Sequence, residues 1–265
     1  MSTFFEKIND LDILLHCDGY EREYFFAECS RLAYKGQKLA SKEFKKVGFT
    51  SYKFCSVEGA QCHIVKNRDY IVIAFRGTEP RQFSDIKADL MAWKRKSRTE
   101  GHVHAGFKNE LDKLWADIKM GLSRKGDRTI FLCGHSLGGA IATVCASRLE
   151  KDVEELYTYG SPRVGGDIFR DNLLVDHCRV VNNNDMVAKV PFWLMGYRHH
   201  GYLTYINHYG NVREMTSWQK LKDQIRGRWC ALRKFQMFDG IRDHDINKYC
   251  KKLKGLVKIE PTFGD

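Results

Sequence analysis

Residues 129–149 read TIFLCGHSLGGAIATVCASRL. The first five are a continuous apolar run, the pattern of a strand buried on both faces of a sheet. The last thirteen are small and apolar and suit a closely packed helix. Between them Gly134-His135-Ser136-Leu137-Gly138 fits G-x-S-x-G. That pattern alone is weak, but a buried strand before it and a helix after it are the context it needs. At such an elbow the serine backbone is strained and its hydroxyl stands clear of the sheet. Flanking glycines remove side chains that would clash in the tight turn. Leu137 N–H then lies at a helix start, where backbone donors are unpaired and the dipole favours an anion. The plainer alternative is a Gly-rich turn with an idle serine.

The same reading extends outward. YIVIAF at 70–75 is a second fully apolar strand. Residues 50–56 and 60–66 form shorter strands joined by a turn at Glu58-Gly59, and 155–159 and 178–181 add two more. Helical spacing appears at 20–34 and at 105–122, where Phe107, Leu111, Leu114, Trp115 and Ile118 share one side. It recurs at 218–236, with a break expected at Gly227, and at 243–254. Strands alternating with helices predict an α/β fold with a mostly parallel central sheet flanked by helices. No Pro/Gly/Ser linker interrupts the chain, so one domain over residues 1–265 is expected.

Composition excludes some classes. Aromatics at 12% argue against disorder, and no apolar run reaches the roughly 18–20 residues of a spanning helix. The start MSTFFEKINDLD lacks a signal-peptide pattern. Nine cysteines form no CxxC pair and no zinc-finger spacing, which reads as a reducing, cytoplasmic setting. The net charge of +11 permits anionic partners without choosing one. No helix-turn-helix, zinc finger or aromatic RNA-binding motif appears, so nucleic acid is not an expected partner. Residues 213–234 hold seven Lys/Arg against Glu214 and Asp223, with Trp218 and Trp229 among them. Such a helix either lies on an anionic lipid surface or packs its Trp/Leu stripe on the core. The narrow, regular stripe favours packing.

A nucleophilic serine needs a base, and the base an orienting acid. In the chain order Ser, acid, His, the bases available are His199, His200, His208 and His244. Asp185 follows the strand at 178–181 through Asn182-Asn183-Asn184, at the sheet edge where open α/β sheets bind ligands. Asp167, Asp171 and Asp176 have no such strand directly before them. His244, in Asp243-His244-Asp245 ahead of the last helix, can reach that edge, although a solvated histidine is the alternative.

These residues together resemble the class 3 lipase family, the fungal-lipase-like branch of the α/β-hydrolases. The resemblance runs through Phe75-Arg76-Gly77-Thr78, Val103-His104-Ala105-Gly106-Phe107, GHSLGGA at 134–140 and GSPRVG at 160–165. It continues in Val181–Val187 and in Asp243-His244 with Tyr249, all in the family's order. It implies Ser136 as nucleophile, Asp185 as acid and His244 as base. It implies an oxyanion hole from Thr78 and the Leu137 N–H, a lid at 79–90, and no metal or organic cofactor. His104, His200 and the Gly-Ser-Pro-Arg run match as structural positions. The lid segment carries few large apolar residues (Phe83, Ile86, Leu90), and Ile86 stands where the family has Trp. The implied activity is carboxylester hydrolysis of acylglycerol-type lipids. A phospholipase or acyltransferase at anionic membranes, or a catalytically silent lipid-surface homologue, would share the pattern.

Overall fold

The structure, a computed structural model, describes residues 4–8, 11, 20–77, 94–212, 215–233 and 242–257. The first helices among the described residues are α1 (Tyr20–Leu32) and α2 (Gln37–Lys46). Strands β1 (Ser51–Val57), β2 (Ala60–Lys66) and β3 (Tyr70–Phe75) follow as an antiparallel meander. A two-stranded ribbon, β4 (Lys94–Lys96) with β5 (His102–His104), leads into α3 (Ala105–Leu122). Then come β6 (Thr129–His135), α4 (Leu137–Leu149), β7 (Val153–Tyr159), the short α5 (Asp167–Asp171), β8 (Asp176–Asn182) and β9 (Tyr202–Ile206). Helices α6 (Ser217–Arg233) and α7 (Ile246–Leu256) come last among the described residues.

The central sheet has seven strands in the order β1-β2-β3-β6-β7-β8-β9. From β3 to β9 every pairing is parallel. Successive residues of a strand face opposite sides, so a strand apolar at every position must be covered twice. In β3, Ile71, Ile73 and Phe75 pack under α3 and α4, while Val72 and Ala74 pack under α1 and α7. In β6, Ile130 and Leu132 divide from Phe131 and Cys133 in the same way. The α1 face is aromatic. Phe26 stacks on Tyr157 with ring centroids 4.3 Å apart, and Phe25 meets Phe26 edge-on at 5.1 Å.

Helix α3 buries Phe107, Leu111, Leu114 and Ile118 as its spacing predicts, with Trp115 half-buried beside them. Its first turn is capped by His104, whose Nδ1 accepts from Gly106 N–H at 3.1 Å. Helix α7 buries Ile246, Tyr249, Cys250 and Leu253 against α1. No described helix is long and apolar enough to cross a membrane.

Helix α6 departs from the sequence reading twice. It runs through Gly227 without a break. Its stripe also does not pack on the core, for Trp218, Leu221 and Ile225 are 62%, 45% and 48% exposed. Asp223 faces inward instead, accepting from Tyr205 Oη–H at 3.1 Å and from His208 N–H at 2.9 Å. These two hydrogen bonds set the rotation of the helix and turn the apolar stripe outward.

Several histidines are enclosed by this fold. His63 on β2 is fully buried beside Tyr52, whose hydroxyl lies 2.7 Å from its Nδ1. Burial pushes its pKa from 6.5 down to about 4. The unfolded chain therefore binds more protons than the folded one between those values, and stability falls as pH drops through that window. The His63 contribution is about 3 kcal/mol over the whole interval. Melting temperatures taken from neutral to pH 4 should fall more steeply for the wild type than for His63→Gln. Parallel curves would contradict this account.

Candidate active site

Ser136 lies between β6 and α4 with φ 59° and ψ −131°, outside the regions a non-glycine residue ordinarily occupies. Close packing on both sides enforces that turn. A Cβ on Gly134 would overlap the Gly138 backbone, and one on Gly138 would overlap the Phe75 carbonyl at the end of β3. The Ser136 N–H donates to the Tyr159 carbonyl at 2.9 Å, tying the elbow to β7. Side chains at either glycine position would therefore force strand and helix apart.

Its hydroxyl meets His244. Ser136 Oγ lies 2.8 Å from His244 Nε2. On the other side of the ring, Nδ1 lies 2.8 Å from Asp185 Oδ2 and 3.0 Å from Oδ1. A carboxylate accepts, so Nδ1 carries the proton and Nε2 presents a lone pair to the serine. All three side chains are buried.

The histidine precedes α7 and is held by the loop after β8. Asn182 donates its side-chain amide to the Asp243 carbonyl at 2.8 Å, and the Asn183 amide reaches Asp243 Oδ2 at 3.2 Å. From the elbow, His135 Nε2 reaches the His244 carbonyl at 2.6 Å. A carbonyl only accepts, so that nitrogen bears the proton. His135 Nδ1 is then the acceptor for the Tyr34 hydroxyl at 2.8 Å. Burial, and then the neighbouring His244, hold His135 well below its usual pKa and therefore neutral. The Asn-Asn-Asn run and the residue before the serine thus fix the backbone that carries the imidazole.

Asp185 is enclosed by donors. Val187 N–H donates to Oδ1 at 2.9 Å, and the Tyr249 hydroxyl to Oδ2 at 2.5 Å. Burial, and then the Asp185 charge, raise the Tyr249 pKa and keep the phenol a donor. Gly160, with φ +55°, leaves the space that this group fills. A Cβ there would fall on Asp185 Oδ2 and come within 2.9 Å of His244 Nδ1 and 3.0 Å of the Tyr249 oxygen.

The remaining sequence candidates stand elsewhere. His199 Nε2 donates to the Ala188 carbonyl at 2.8 Å, and His200 faces His177 at 3.1 Å. The backbone N–H of His208 is bound to Asp223. Asp167 and Asp171 pair with Arg170, and Asp176 is exposed at the start of β8. Leu137 opens α4, so its N–H is one of the donors a helix start leaves unpaired. Thr78 and the lid segment 79–90 lie outside the described residues. Gly77, just before Thr78, abuts the elbow, where a Cβ would meet the Tyr34 hydroxyl and the His135 carbonyl. Sequence reasoning gave no site role to Tyr249, Gly160 or His135. The signals present were a tyrosine in the last helix, the glycine ending a strand and the residue before the serine.

Residues 72–195 match the model of the lipase (class 3) family. Over 106 residues the chain is 42% identical to a secreted mono- and diacylglycerol lipase 1 of Fusarium solani, covering 37% of this chain and 32% of that one. Over 149 residues it is 31% identical to secreted mono- and diacylglycerol lipase A of Penicillium cyclopium, covering 49% and 45%. The match thus spans less than half the length of either relative. Among solved structures, the native Rhizomucor miehei lipase–propeptide complex superposes with a TM-score of 0.60 at 21% identity, over 70% of this chain and 67% of that one. That likeness shows the fold, an α/β-hydrolase. The matched segment, a little under half of this chain, resembles the class 3 lipase family.

These relatives correct one expectation. The cytoplasmic setting read from cysteine usage is overturned, since the relatives include secreted lipases. The physical reason lies in the core. The described cysteines are buried, and a buried thiol acts as a small hydrophobe whose presence does not report the redox compartment.

Tyr249→Phe removes one donor from Asp185 and little volume. It should lower kcat on a soluble ester roughly tenfold and leave KM unchanged. An unchanged kcat would reduce Tyr249 to a packing residue.

Proposed function

We propose that this chain is a serine carboxylester hydrolase that cleaves acylglycerol-type esters, mono- and diacylglycerols foremost. One observation carries the reading: the unbroken hydrogen-bonded line from Ser136 Oγ through the His244 ring to the Asp185 carboxylate, with contacts of 2.8 Å on both sides of the ring. The mono- and diacylglycerol lipase relatives support the substrate class and an extracellular place of action. The two apolar cores share one sheet, so we read the described residues as a single catalytic domain.

In this reading His244 Nε2 takes the Ser136 proton as Oγ attacks the ester carbonyl. The carbonyl electrons move onto its oxygen, and the Leu137 N–H, with Thr78 by family resemblance, stabilises that charge. Asp185 holds the imidazolium. The intermediate collapses, His244 protonates the leaving alcohol, and an acyl-Ser136 ester remains. Water, deprotonated by His244, then releases the carboxylic acid and restores the serine.

A p-nitrophenyl ester series of increasing acyl length tests the reading and reports the pocket. Turnover should fall by about four orders of magnitude or more in Ser136→Ala at every length where the wild type is active. Hydrolysis that survives Ser136→Ala would refute the assignment.

A further inference from the structure

Helix α6 is amphipathic and sits with its apolar side to solvent. Trp218, Leu221 and Ile225 lie at helical spacing on the exposed side, while Asp223 is buried beneath. The turn Trp193–Met195, a short way along the chain from Lys189, exposes another apolar group. Trp193 is 60% and Leu194 is 77% exposed, and Phe192 before them is also exposed. One residue of α6, Gln224, touches the loop after β8 that carries Asp185 and leads on to that turn. The Gln224 carbonyl accepts from the Asn184 side chain at 2.9 Å, and its side-chain oxygen accepts from Lys189 Nζ at 3.2 Å. Met186, next to Asp185, is exposed on this edge too.

Clustered large apolar side chains on a surface mark a contact with something. Charge identifies it. Lys222 and Arg226 are exposed on the same side of α6, and among the described residues neither has a carboxylate partner. Lys222 Nζ stands 5.3 Å from the Trp218 ring, and the Arg226 guanidinium 5.9 Å from the exposed Tyr209 ring. Cations beside tryptophan and tyrosine suit the headgroup level of a bilayer, where the rings bury their apolar bodies and the charges meet phosphates. The net charge of +11 disfavours a second copy of the same chain as the occupant.

We propose that α6 and the Phe192–Met195 turn together form a docking face for an anionic phospholipid bilayer. The face adjoins the candidate active site and lies outside the 79–90 segment that the family resemblance assigns to a lid. It determines where the protein sits and does not depend on which ester is cleaved.

Co-sedimentation of Ser136→Ala protein with phosphatidylcholine vesicles, with and without phosphatidylglycerol, tests this without lipid turnover. Binding should need the anionic lipid and weaken with salt. Trp193→Ser/Leu194→Ser and Lys222→Glu/Arg226→Glu should each lower it about tenfold or more. In the otherwise wild-type background, neither pair should change turnover of a short soluble ester. That readout shows the variants are folded and separates failure of docking from failure of the esterase reading. Equal binding to neutral and anionic vesicles, or binding indifferent to both pairs, would overturn the proposal. So would concentration-dependent self-association abolished by Trp193→Ser/Leu194→Ser, which would make the face a contact between copies.

Discussion

A carboxylate with no exposed surface organises this molecule. Asp185 is completely buried, and a buried charge is tolerable only where donors replace water. The donors come from separate parts of the chain: Val187 N–H from its own loop, the Tyr249 hydroxyl from α7 and Nδ1 of His244 ahead of α7. Satisfying one charge therefore docks the last helix against the sheet and orients the imidazole in the same step. The loop after β8 adds to this by gripping Asp243, and Lys252 on α7 reaches back to the Asn182 side chain at 2.6 Å. The same hydrogen bonds hold the last helix and the imidazole.

The second constraint is close packing at the strand ends. Glycine stands wherever backbones or site groups crowd: Gly134 and Gly138 around the serine, Gly77 beside the elbow, Gly160 beneath the Asp185–His244 pair. Missing side chains let β3, β6 and β7 bring their carboxyl ends against the start of α4. The strained Ser136 backbone is held there by the hydrogen bond to Tyr159. A parallel sheet supplies these ends together, because its strands all finish on one edge.

Most of the fold was legible because its strands are apolar on both faces. YIVIAF and TIFLC admit only a doubly covered position. Helix α4 has the predicted bounds, and α3 likewise. Helix α2 and strand β9 escaped notice, for α2 is mostly polar and β9 is a short edge strand. Spacing alone left four histidines and four aspartates open; the family resemblance implied Asp185 and His244, and the structure brings that pair to Ser136. Tyr249 falls at a core position of α7, and nothing in a helical pattern tells what the tip of a buried tyrosine touches. Helix α6 teaches the same lesson on a larger scale. Periodicity reveals that a stripe exists but not which way it faces. That was decided by Asp223, whose inward bonds to Tyr205 and His208 outweigh burial of the stripe.

The central claim is that this network makes one serine nucleophilic. Mass spectrometry of the intact chain after treatment with a fluorophosphonate probe tests it most directly, with His244→Ala treated in parallel. The account predicts a single adduct on Ser136 in the wild type, and labelling slowed by orders of magnitude in the variant at an unchanged fold. An adduct on a different serine, or wild-type labelling rates without His244, would contradict it.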